Sequence, residues 1–231
     1  MTTIPVISIE EGNMKLNFVP VLSYFDSLLA GLWWTIVLAV SAGIVCVFGG
    51  ILTATIINYT NRVVSAPLRS FIWLFMGTPL LLQLWLLYHG WAQLNILLPA
   101  MFIGIFGLGL HYAAYNADVY RAALQTISHG QYEAARSLGF GHVRTIFLII
   151  IPQAMYRSIP QFGNNLIIMV KDTSILSIIG ISEMVLAAQY AISVTYRPFE
   201  FYITVALIFY AINLILESLL NLYEKKSATK L

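Results

Sequence analysis

Residues 27–61 read SLLAGLWWTIVLAVSAGIVCVFGGILTATIINYTN, a stretch without Asp, Glu, Lys or Arg, closed by Asp26 on one side and Arg62 on the other. A helix needs about 20 apolar residues to cross the hydrocarbon of a bilayer, so this stretch holds a full span with residues to spare. A second charge-free stretch, residues 70–117, is long enough for two spans. A helix buried inside a soluble protein has no need of such runs. Across all 231 residues 59% are hydrophobic and only 10% charged, and the mean hydropathy is +0.82. Soluble domains carry roughly 25% charged residues. The expected fold class is an all-α integral membrane protein.

Working outward, the sequence suggests about five transmembrane helices, over residues 28–57, 68–89, 94–115, 157–179 and 201–222. Residues 116–156 carry Asp118, Arg121, Glu133, Arg136 and Arg144, a charge density that does not belong in lipid. The apolar residues 145–156 within them are too few to cross and are expected to form an interfacial helix. One transmembrane domain then covers 1–231, with 1–27 as an external segment, 116–156 as a cytoplasmic loop and 223–231 as a cytoplasmic tail. Cytoplasmic segments collect Lys and Arg. With the N-terminus outside and the C-terminus inside, Arg62, Arg69, Arg121, Arg136, Arg144, Arg157, Lys225, Lys226 and Lys230 fall inside, and only Lys15 and Arg197 outside. Glu10 and Glu11 with the single base Lys15 do not resemble a cleavable signal, so the first span is expected to be retained.

A net charge of +2 with scattered basic residues excludes nucleic acid as a partner. The single thiol, Cys46, lies inside the first apolar run and cannot form an internal disulfide; it is expected to act as a small apolar side chain. His89, His111, His129 and His142 show no metal-ligand spacing and are expected to be interfacial or solvated. Trp33, Trp34, Trp85 and Trp91 suit the aromatic belts at the membrane surface. No GxxxxGK[ST] phosphate loop occurs, so no nucleotide cofactor is expected in this chain and any ATP chemistry must come from another.

The loop has its own grammar. Ser128 stands where a helix N-cap would, with Gln131 at capping-box spacing. Ala134 and Ala135 favour helix, and Gly139 is placed where a helix can end in a left-handed residue. A second helix is expected from His142 to Ile151, interrupted by Pro152. Glu133-Ala134-Ala135, Gly139, Ile149 and Ile151-Pro152 resemble the EAA loop of the permease subunits of binding-protein-dependent ABC transporters, with Ile151 in place of the pattern's Leu. Gly77-Thr78-Pro79-Leu80 with Gln83, Ala117-Asp118-Val119-Tyr120-Arg121, Gly163-Asn164-Asn165 and Lys171-Asp172-Thr173-Ser174 are similar to motifs of the polar amino-acid branch, which imports histidine, glutamine, glutamate or arginine. The branch's Arg before Gly-Thr-Pro is Met76 here.

That resemblance implies a type I importer-like fold in a bacterial inner membrane and a translocation pathway for a polar amino acid. It implies two ATP-binding subunits that hold ATP and Mg, a second permease (identical or homologous), and an extracytoplasmic amino-acid-binding protein. Glu133, Ala134, Ala135, Gly139 and Pro152 would then couple to the ATPase. Small alanines let a helix sit deep in a cleft, Glu133 can pair with a base, and Gly139 permits a sharp turn.

A charge at mid-membrane costs about 2.5–3.5 kcal/mol on insertion scales, so such a residue usually faces a cavity or partner. Lys171 and Asp172 lie past the middle of the fourth expected span, and Pro160, Gly163 and Gly180 suggest that this helix is broken. Broken helices expose backbone groups that bind ionic substrates. Asp172 could serve an ammonium and Lys171 a carboxylate, with Asn164, Asn165, Gln83 and Thr78 as further pathway residues. In the other reading Lys171 snorkels outward, Asp172 caps a helix fragment, and the amides and hydroxyl only join helices together. A secondary amino-acid transporter or channel would show inverted repeats or more midplane carboxylates, and neither is visible. A non-transporting scaffold leaves Lys171 and Asp172 without a purpose.

Overall fold

The computed structural model describes residues 16–228. Its elements are α1 (Val19–Ser23), α2 (Phe25–Tyr59), α3 (Arg62–Gly77), α4 (Leu80–Gln93), α5 (Ala100–Gln125), α6 (His129–Ser137), α7 (His142–Ile179), α8 (Met184–Thr195) and α9 (Pro198–Ala228). No strand occurs among the described residues. Lipid offers no partner for backbone N–H and C=O groups, so each apolar run must bond within itself as a helix. The reading of residues 1–15 as an external segment without a cleavable signal lies outside the described residues, as does the end of the tail.

Among the described residues three helices, α2, α7 and α9, are each long and apolar enough to cross a membrane; α3 and α4, bent by 112°, make a fourth if counted together. The expected third span differs most from expectation. Its helix starts only at Ala100, after Pro99, and runs on to Gln125 as 26 residues, with His111 near its middle and Asn116, Asp118 and Arg121 in its second half. The expected interfacial helix at 145–156 is corrected: these residues are the first turns of α7, continuous with the fourth span. Pro152 does not interrupt it. A proline lacks an N–H and crowds the carbonyl four residues back, and the turn ahead of it, Ile146–Ile150, is widened to a π-helix that takes up the mismatch. Pro160 and Gly163 are also inside continuous helix. The break comes later: regular α-helix ends at Asp172, Thr173–Ile179 tightens to 3-10, and Gly180 turns left-handed at φ +79°.

The seam that organises the molecule is α2 against α5. A row of small residues on α2, Ala42, Cys46, Gly50 and Ala54, is fully buried. Between membrane helices the attraction is close packing, which small residues permit. At Gly50 a Cβ would stand 2.7 Å from the Cβ of Asn116 and 3.1 Å from the backbone of Ala117. Three apolar clusters follow. One joins α2, α4, α5 and α7 around Leu84, Leu108 and Leu176; one gathers the α2 and α5 ends around Tyr120 and Ile150; one joins α2, α8 and α9 around Met184 and Phe201. The tryptophans Trp33, Trp34, Trp85 and Trp91 are all exposed, as belt residues should be.

Candidate functional site

Two polar regions stand out. The first is the hairpin of α6 and the start of α7. Ser128 caps α6, its hydroxyl accepting from the Gly130 amide at 3.2 Å. Gln131 does not complete a capping box; its Oε1 accepts from Gln153 on α7 at 3.4 Å. At the other end the Phe140 amide donates to Ala135 O (3.0 Å) and the Gly139 amide to Arg136 O (2.9 Å). With Gly139 at φ +81° this is a Schellman ending. Ala135 is buried at 2% exposure and turns inward. Glu133, Ala134, Gly139 and Pro152 face outward, and Glu133 meets only His129 of its own helix, at 3.3 Å. Leu138 and Val143 beside the turn are 77% and 65% exposed. Two long-range contacts fix the hairpin's base: Tyr59 at the end of α2 shares a 2.8 Å hydroxyl bond with Tyr132, and Arg157 donates to Thr126 O and Oγ1 at 3.0 and 2.9 Å.

The second region lies on α5 inside the membrane body. The Tyr112 hydroxyl donates to Asp172 Oδ2 at 2.7 Å. One turn on, Asn116 accepts from Asn165 Nδ2 at 2.6 Å and donates to Cys46 Sγ at 2.9 Å, all buried. Cys46 is thus a hydrogen-bond acceptor as well as a small side chain. Asn164, next to Asn165, is exposed on another face. Thr78 and Gln83 meet at the break between α3 and α4, where Gln83 Nε2 donates to Thr78 Oγ1 at 2.6 Å. Lys171 and Asp172 diverge as neighbours on a helix must. Lys171 is exposed and lines a groove of about 520 Å³ with Ser174, Tyr202, Tyr210 and Asn213, while Asp172 turns to α5. The structure therefore brings Asp172 to Tyr112, Asn165 to Asn116 and Thr78 to Gln83, and leaves Lys171 and Asn164 on separate faces.

His111, Tyr112 and Asn116 were not among the expected site residues. His111 is corrected from interfacial or solvated to buried, at 7% exposure, with Nδ1 2.9 Å from Gln83 Oε1. A signal existed: His111, Tyr112, Tyr115 and Asn116 interrupt an otherwise apolar run, and 112, 116 and 120 recur at helical spacing on one face. Among the described residues no group of three His, Cys, Asp or Glu could hold a metal.

The family described as binding-protein-dependent transport system inner membrane component matches residues 46–228. The probable amino-acid permease protein YxeN of Bacillus subtilis (strain 168) is 34% identical over 207 residues, 88% of this chain and 92% of that one. The nopaline transport system permease protein NocM of Agrobacterium fabrum is 31% identical over 88% of this chain and 89% of its own. A crystal structure of an amino acid ABC transporter with histidines superposes with a TM-score of 0.84 at 36% identity, covering 92% of this chain and 100% of the other. An apolar helical body, a glycine-ended hairpin carrying Glu133-Ala134-Ala135 and these likenesses converge, and the chain belongs to the inner membrane components of binding-protein-dependent transport systems, as an ABC transporter permease of the polar amino-acid branch.

Proposed function

We propose that this chain forms the translocation pathway for a polar amino acid in an ATP-driven importer and takes its drive from two ATPase subunits gripping the hairpin at Glu133. What carries this reading is the hairpin itself. Glu133 and Ala134 are presented outward beside the uncovered apolar pair Leu138 and Val143, the combination of a charge and a hydrophobic edge that marks a docking surface. The hairpin's base is tied to the ends of α2, α5 and α7 through Tyr132, Thr126 and Arg157. A push on it therefore reaches three long helices at once.

In this scheme the N-terminus is outside and the C-terminus in the cytoplasm. Two permeases, identical or homologous, enclose the path, because so few helices cannot surround a zwitterion alone. Nucleotide-driven closure of the ATPase pair, with ATP and Mg bound there, draws the hairpins together and opens the path outward. An extracytoplasmic binding protein delivers the amino acid, and Asp172 receives its ammonium after exchanging the Tyr112 hydroxyl. By reciprocity, substrate delivery favours ATPase closure.

The test is the assembled complex in lipid nanodiscs. Substrate and binding protein should stimulate ATP hydrolysis, and Glu133→Lys should cut that stimulation by more than about tenfold, since a like charge at an interface costs several kcal/mol. Uptake by the permease alone, driven by an ion gradient, would instead establish a secondary transporter or channel.

A further inference from the structure

Both helix breaks in the membrane body rest on the same turn of α5. The first is at Thr78–Pro79. α3 ends there, Thr78 is extended (φ −125°, ψ 144°), and Pro79 brings no N–H to the carbonyls left behind. Thr78 Oγ1 donates to Leu74 O at 2.7 Å. Gln83 Nε2 takes Phe75 O at 2.9 Å and Thr78 O at 3.0 Å. Both of these are backbone carbonyls, which only accept, so the amide of Gln83 can be oriented only one way, with Oε1 toward His111. Oε1 also only accepts. His111 Nδ1, 2.9 Å away, must therefore carry a proton whatever the charge on the ring.

The second break is at Asp172, and the adjacent residue on α5, Tyr112, holds it. Apolar seats repeat the arrangement one and two turns earlier. At Gly107 the space of a side chain is taken by Leu84 of α4, and at Gly104 by Ile181, just past the end of α7, with Leu176 beside it. The rings of His111 and Tyr112 are in edge contact at 5.4 Å.

We propose that His111 is a positioning residue for the pathway: as an obligate Nδ1–H donor it locks the α3–α4 break to α5, so that this break and the Asp172 break move as one body. The inference rests on the reading of Asp172 as a pathway residue. His111 acts on the substrate through Gln83 and Tyr112, not by contact. Without its donor, α4 is free to shift relative to α5, the Leu84 seat loosens, and the Tyr112–Asp172 pair no longer holds one register when substrate arrives.

Asparagine can set an N–H close to where Nδ1 sits, whereas glutamine mimics the far nitrogen. In the complete transporter in nanodiscs, with the cognate amino acid first identified by its stimulation of the wild type, His111→Leu and His111→Gln should raise KM for stimulated ATP hydrolysis about three- to tenfold, the range expected for one interhelical hydrogen bond in a membrane. Vmax should stay within about twofold, and His111→Asn should return KM toward wild type. In a double-mutant cycle, Gln83→Leu should add little once His111→Leu is present. If His111→Leu fails to assemble, the Asn and Gln variants still decide, since only the position of the donor differs between them. Equal KM for Asn and Gln, or additive losses with Gln83→Leu, overturns the lock. Absence of any stimulation in the wild type overturns the functional reading instead.

Discussion

The α6 hairpin and the polar cluster on α5 are both built from hydrogen-bonded polar groups, but they draw their partners from different distances along the chain. The hairpin's outer turn closes on itself, Ser128 to Gly130, His129 to Glu133 and Phe140 to Ala135, and its base reaches farther, through Tyr59 to Tyr132 and Gln153 to Gln131. The cluster bonds cross 28 residues (Gln83–His111), 49 (Asn116–Asn165), 60 (Tyr112–Asp172) and 70 (Cys46–Asn116). The hairpin leaves its working groups exposed, Glu133 meeting only a side chain of its own helix, whereas the cluster spends nearly all of its capacity on itself. A polar group with no partner in hydrocarbon costs several kcal/mol. Damage to the hairpin should therefore uncouple the transporter at unchanged stability, and damage around the cluster should lower stability along with function.

The largest effect that could break this contrast is expected on the seam behind the cluster. Gly50→Leu drives a side chain into Asn116 and the backbone at Ala117, an overpacking that costs about 1–3 kcal/mol, with the upper end expected against backbone. The detergent-solubilised complex should lose several degrees of Tm in a thermal scan; an unchanged Tm would mean that α2 and α5 are not the load-carrying pair. Next, Gly139→Val puts a β-branched residue at φ +81°, a strain of about 1–2 kcal/mol confined to the hairpin. Tm should hold while stimulated ATP hydrolysis falls roughly tenfold, and Gly139→Asn should keep more activity because asparagine tolerates this conformation. Parallel loss of Tm and activity would erase the distinction between the regions.

Smaller changes sharpen it. Tyr112→Phe keeps the ring and removes the donor to Asp172; the loss should be about 0.6–1.7 kcal/mol, read as a modest fall in Tm together with a shifted substrate KM. Ser128→Ala removes one cap, worth about 1 kcal/mol to α6 alone. Faster amide exchange over residues 129–132 with an unaltered Tm is the expected signature, and slowed exchange elsewhere would count against a self-contained hairpin.

The same difference in distance decides what could be read from the sequence. Helix content, the charge-free spans and the Gly139 turn were legible because their causes lie within a few residues. The tethers Tyr59–Tyr132 and Arg157–Thr126 were not, nor was the burial of His111, because nothing near a residue tells which distant helix will cover it. The 112° bend at Thr78–Pro79 was half legible: the proline was visible, but the amide that takes up the freed carbonyls sits a turn later, at Gln83. Reading 145–156 as a separate interfacial helix failed for a local reason, since the proline that should end a helix is preceded by a widened turn.

That widened turn at Ile146–Ile150 has a consequence for how the two ends of α7 can change over evolution. An extra residue in a single turn resets the angular phase between the segment that belongs to the hairpin and the segment that runs on toward Asp172. Under the proposed function, the hairpin end can thus keep the azimuth an ATPase would require while the interior end is rotated to suit a different cargo. One continuous rod serves two sets of constraints, with the adjustment between them concentrated in five residues.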